Sequence, residues 1–139
     1  MGRAYLVDEQ EKIRREKKEA RIRRGRVAEE KAFGALKYIQ ENKMELPGGR
    51  SITEIERMTP YSREDLAGID FVVKFNTGEV LPIQVKNYVD LLATRDLRKI
   101  GGIYIVIPPY EDGQKTIRKI FNALSGFFSK NLKRGHFLF

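Results

Sequence analysis

A chain of 139 residues has room for one domain, and a composition that is 41% hydrophobic and 33% charged excludes a largely disordered protein. With no Cys, disulfides and thiolate zinc sites are excluded, and with His136 as the sole histidine so are a Ser-His-Asp triad and a multi-histidine metal centre. The net charge of +8 gathers at the two ends: residues 1–26 hold ten Lys/Arg against five Asp/Glu, residues 115–139 hold six against none, and the middle carries −3. Basic ends around an acidic centre suit a protein that meets phosphate and holds a cation through oxygen ligands, which points to Mg2+ or Mn2+. The same charges equally suit a solubilising, thermophile-like surface. The longest apolar run, Ile103 to Pro109, is far too short to span a membrane, and the N-terminus has no apolar signal core, so a cytoplasmic protein is expected.

In chain order, residues 8–26 are mostly Glu, Lys and Arg, with Ile13 and Ile22 as isolated large apolar residues. That composition predicts an exposed helix or arm, which Gly25 interrupts, and sets residues 1–24 apart from a domain over 25–139. Ala28, Ala32, Ala35, Leu36 and Ile39 recur at helical spacing, so residues 26–42 read as an amphipathic helix. Leu46-Pro47-Gly48-Gly49 is a loop. Residues 51–59 fit a short helix or an irregular strand, with strand preferred; residues 59–68 read as a loop. Ile69 to Phe75 and Val80 to Lys86 are strands joined by a tight turn at Asn76-Thr77-Gly78. Residues 90–99 look helical, and Gly101-Gly102 ends them. Ile103 to Ile107 is a further strand, Asp112-Gly113 a turn, and Ile117 to Leu132 supplies the apolar stripe of a closing helix. A mixed sheet covered by helices follows from this order.

The hairpin carries the chemistry. Alternation puts Phe71, Val73 and Phe75 on one face with Leu81, Ile83 and Val85, and puts Asp70 on the other with Gln84 and Lys86. A turn centred on Thr77 sets Asp70 opposite Gln84. A carboxylate, an amide oxygen and an ammonium on one polar face can hold magnesium and stabilise charge on a phosphate. A half-exposed hairpin explains Gln84 and Lys86 equally well, but explains Asp70 between Ile69 and Phe71 poorly, because aspartate is disfavoured inside strands.

Gly68-Ile69-Asp70 followed by Ile83-Gln84-Val85-Lys86 resembles the core motif of the PD-(D/E)XK nuclease superfamily, over roughly residues 25–125. Ile69 stands in place of the motif's proline and Gln84 in place of its second acid, a substitution that some active branches share. Gly25-Arg26-Val27-Ala28-Glu29 is similar to the first-helix segment of archaeal Holliday-junction resolvases and related small nucleases, where a glutamate joins the site. The helical wheel favours Glu29 over Glu30, because Glu29 borders the apolar stripe.

The resemblance implies an α/β, restriction-endonuclease-like fold with a basic N-terminal helix, acting as a Mg2+-dependent DNA endonuclease, with branched or junction DNA among its substrates and RNA not excluded. Asp70, Gln84 and Glu29 would hold the metal and Lys86 would assist the attacking water. Arg23, Arg24, Arg26, Arg63, Lys119 and Lys133 would meet nucleic acid. Tyr61, Tyr88 and Arg95 are weaker contacts. A homodimer is compatible with two-strand cutting. The rivals are a non-catalytic nucleic-acid-binding module of the same fold and an interaction subunit whose basic ends bind an acidic protein.

Overall fold

The computed structural model describes residues 2–58, 68–87, 101–129 and 137–138. Residues 59–67 of the expected loop over 59–68, the helix over 90–99, and Tyr61, Arg63, Tyr88, Arg95, Leu132, Lys133 and His136 lie outside the described residues.

Helix α1 runs unbroken from Gly2 to Glu41, so the expected arm and the expected second helix are one element. Gly25 does not break it. A helical glycine costs about 1 kcal/mol relative to alanine, and the flanking turns are rich in good helix formers. Asp8–Lys12, Glu11–Arg15 and Glu19–Arg23 set an acid four positions before a base, the favourable order. From residue 8 to 19 the helix is exposed; from Ala28 it buries Ala32, Ala35, Leu36 and Ile39 against the sheet.

Strands β1 (Ile52–Arg57), β2 (Phe71–Phe75) and β3 (Val80–Lys86) form an antiparallel meander. Strand β4 (Ile103–Val106) lies parallel to β3, and β5 (Phe137–Leu138) lies parallel to β4, giving a mixed sheet in the order β1-β2-β3-β4-β5. The β2–β3 register pairs Phe71 with Ile83, Val72 with Pro82 and Val73 with Leu81. These pairs centre on Thr77, as expected from the turn, and the Gly78 φ of 96° supplies the left-handed residue that closes a three-residue hairpin loop. Arg50 and Thr77 both bond the Glu79 carboxylate beside this loop and hold its pKa down at about 2.

The closing helix α2 (Gly113–Phe127) starts at a cap. Asp112, expected in a plain turn, accepts the N–H groups of Gln114 at 2.7 Å and Lys115 at 3.3 Å. Ile120, Ala123 and Leu124 of α2 and the buried stripe of α1 cover one sheet face, over Phe71, Val73, Leu81, Ile83, Ile103 and Ile105. Among the described residues no helix is long and apolar enough to cross a membrane.

Candidate active site

The β2–β3 ladder ends at Phe71, but β3 continues to Lys86 against β4. Asp70 stands where β2 gives out. Its backbone N–H donates to the Ile83 carbonyl at 2.9 Å. The next inward-facing N–H of β3, that of Val85, has no strand to meet on this side, and Asp70 Oδ2 accepts it at 2.7 Å. A backbone donor left over by the sheet therefore orients the Asp70 carboxylate.

The carboxylate faces Glu29 of α1, with which it shares a hydrogen bond. Burial raises the Asp70 pKa from its ordinary 3.8 to about 7, and the Glu29 charge and hydrogen bond push the same way; the Val85 N–H and the Lys86 charge oppose them. Glu30, one position on, is exposed and pairs instead with Arg57 at 2.7 Å.

Asp70, Glu29, Val85 and Lys86 line a cleft of about 670 Å3 together with Lys18, Ile22, Arg24 and Gly25 of α1, and with Asn87 and Pro109. Cations therefore stand on both sides of an acidic floor. Gln84 is not part of this lining. It is buried at 5% exposure, and a Cβ placed on Gly68 would come within 2.8 Å of its Nε2. Of the residues expected to converge, Asp70 and Lys86 line the cleft together with Glu29, and Gln84 does not. Asp70 reaches past its register partner to Val85, and the Gln84 amide packs under Gly68. That glycine has φ of 89°, so both its backbone and its contact with Gln84 resist a side chain.

The donor set fits a hard divalent cation held through oxygen: Asp70 and Glu29 are two facing carboxylates whose mutual repulsion a cation would relieve. Among the described residues no group of three Asp, Glu or His gathers to hold a metal, so water and phosphate oxygens would complete its shell, as magnesium commonly accepts.

Of the expected nucleic-acid contacts, Arg24 lines the cleft, and Arg23 and Arg26 are exposed on α1. Lys119 departs from expectation. Its side chain is 8% exposed, its ammonium pairs with the buried Glu111 carboxylate, and it donates to the Val106 carbonyl at 2.8 Å. Its charge is answered inside the protein, which withdraws it from any phosphate interface. Thr116 Oγ1 bonds the other Glu111 oxygen at 2.8 Å, and Lys31 of α1 bonds the Glu111 carbonyl. This cluster ties α1, the end of β4 and the start of α2 together beside Pro109. Sequence reasoning missed it; the spacing of Asp112 before an apolar helical stripe would have located the helix start, but nothing local pairs Glu111 with Lys119.

No family model, curated protein or solved structure matches the chain.

Proposed function

We propose that the chain is a magnesium-dependent endonuclease that hydrolyses phosphodiester bonds in DNA, built on the restriction-endonuclease-like fold. One observation carries the reading: the Asp70–Glu29 carboxylate pair opens into the same cleft as Lys86, under a helix that presents Lys18 and Arg24. The order of strands adds to it, an antiparallel meander followed by a parallel strand, with the carboxylate at the point where the meander ends.

Asp70 and Glu29 would hold a magnesium ion, which would supply Lewis-acid polarisation of the phosphate and a more acidic water. The protein's own groups do the rest. Val85 N–H fixes the Asp70 carboxylate. Lys86 orients the attacking water and offsets the negative charge that grows on the phosphate oxygens. Arg24 and Lys18 hold the strand by its phosphates. Gln84 acts from behind, through its packing against Gly68, and not as a ligand.

A second reading has one observation in its favour: with Gln84 outside the cleft, two carboxylates remain, and a nucleic-acid-binding module that has lost catalysis has the same outline. Incubating the protein with branched, duplex and single-stranded DNA, with and without magnesium, separates the two. Lys86→Ala is expected to lose about a hundredfold or more in cleavage rate, on the order of 3 kcal/mol, while DNA binding measured in calcium is unchanged. Wild-type turnover by Lys86→Ala removes the catalytic assignment. Metal-dependent binding without cleavage of any substrate selects the binding module.

A further inference from the structure

Lys18, Ile22, Gly25 and Glu29 follow one another along α1 at intervals of four, three and four residues. One face of the helix, about 16 Å long, therefore lines the cleft and ends at the carboxylate pair. Lys18 begins that face as a cation. Ile22 is a large apolar side chain left 45% exposed, and Arg24 flanks it. Between Ile22 and Glu29 stands Gly25, where a Cβ would meet nothing within 4 Å.

Packing does not require a glycine at this position, and in a helix interior glycine is less stable than alanine. Gly34, in the same helix, also has open surroundings, so a glycine in α1 means nothing by its presence alone. Its place does. Gly34 is nine positions on, half a turn round the helix, and faces solvent. Gly25 faces the cleft, one turn from Glu29, and its missing side chain deepens the cleft there.

We propose that the Gly25 notch seats a nucleotide of a single strand of nucleic acid, one helical turn from Glu29, with Ile22 against its sugar or base and Lys18 and Arg24 on the flanking phosphates. The walls choose the ligand. A cationic groove that tracks a backbone is what single strands bind, and Ile22 adds an apolar contact for a base or sugar in place of the stacking aromatic common in such grooves. A cleft of about 670 Å3 falls among those that enclose a molecule of drug size, which one or two nucleotides are and a paired duplex is not. The inference rests on reading the cleft as a nucleic-acid site, but not on cleavage.

The test uses the full chain and a fluorescein-labelled oligothymidine of roughly ten nucleotides, with a duplex of equal length beside it. Binding is followed by anisotropy in EDTA at low salt, so that neither metal nor turnover enters. Gly25→Leu and Gly34→Leu place the same side chain on opposite sides of one helix. Both are expected to melt a few degrees above the wild type, because leucine is the better helix former. Gly25→Leu alone should weaken binding of the single strand, by about tenfold or more. Gly25→Ala, a smaller group in the same open space, gives a smaller loss in the same direction and stands in if leucine disturbs folding. Wild-type affinity in both Gly25 variants overturns the notch, as does an equal loss in Gly34→Leu or a wild type that prefers the duplex. A wild type that binds the strand through Gly25 and never cleaves DNA keeps the notch and retires the nuclease. A cleaving wild type whose Gly25→Leu variant binds and cleaves unchanged does the reverse.

Discussion

Asp70 is a carboxylic acid whose surroundings favour its proton. Burial and the Glu29 charge hold its pKa near 7 in the folded chain, against an ordinary value of 3.8. The sign of the consequence follows from linkage. Between about pH 4 and pH 7 the folded state binds more protons at this group than the unfolded state, so stability falls as pH rises through that window and levels off above it. Asp70→Asn cannot ionise and escapes the loss. Relative to the wild type it is expected to gain on the order of 2–4 kcal/mol at pH 8 and little at pH 4, read from urea denaturation of the metal-free protein at both pH values. A wild type whose stability is flat across the window would show that Asp70 keeps its ordinary pKa. The same proton competes with any cation, so magnesium affinity should rise through pH 7.

At the scale of elements, the hydrophobic pattern made the sheet legible. The alternation of Phe71, Val73 and Phe75 with Leu81, Ile83 and Val85, and a turn centred on Thr77, led to the pairing that forms. Residue-level propensity misled at Gly25, which reads as a helix breaker, because the cost of one glycine is smaller than the support of two flanking helical turns on each side. The facing of Glu29 toward the site and of Glu30 away from it was readable from the helical wheel. The position of Gln84 was not, because it depends on where β2 ends and not on strand alternation. Nor was the Glu111–Lys119 pair, which forms across a loop and a helical turn. That pair has a testable weight. Both groups are nearly buried, so Glu111→Ala strands an ammonium next to the Val106 carbonyl and should cost about 3–5 kcal/mol in chemical denaturation. Removing both charges with Glu111→Leu and Lys119→Met should recover much of it, since the lone buried charge, and not the lost pair, is what destabilises. A single variant as stable as the wild type would mean that water reaches Lys119.

Over the whole molecule the basic charge is less diffuse than its total of +8 suggests. In the N-terminal part of the sequence, residues 1–17 hold five Lys/Arg against four Asp/Glu, whereas residues 18–26 hold five against one. At this end of the chain the charge is therefore concentrated in the turns beside the cleft, and the first 17 residues are almost neutral. Nucleic-acid binding driven by counterion release distinguishes these two segments. Each phosphate neutralised on a single strand adds about 0.7 to the slope of log affinity against log salt. Lys18→Ala with Arg24→Ala should thus lower that slope by roughly 1.4 and weaken binding most at low salt. Deleting residues 1–17 should leave the slope nearly unchanged, and should leave folding intact because residues 8–17 are exposed along their whole length. The measurement is oligonucleotide affinity at several salt concentrations for the wild type, the double variant and the truncated chain. A truncated chain that loses most of its salt dependence, with a double variant that keeps it, would move the phosphate contacts out along the helix and away from the cleft.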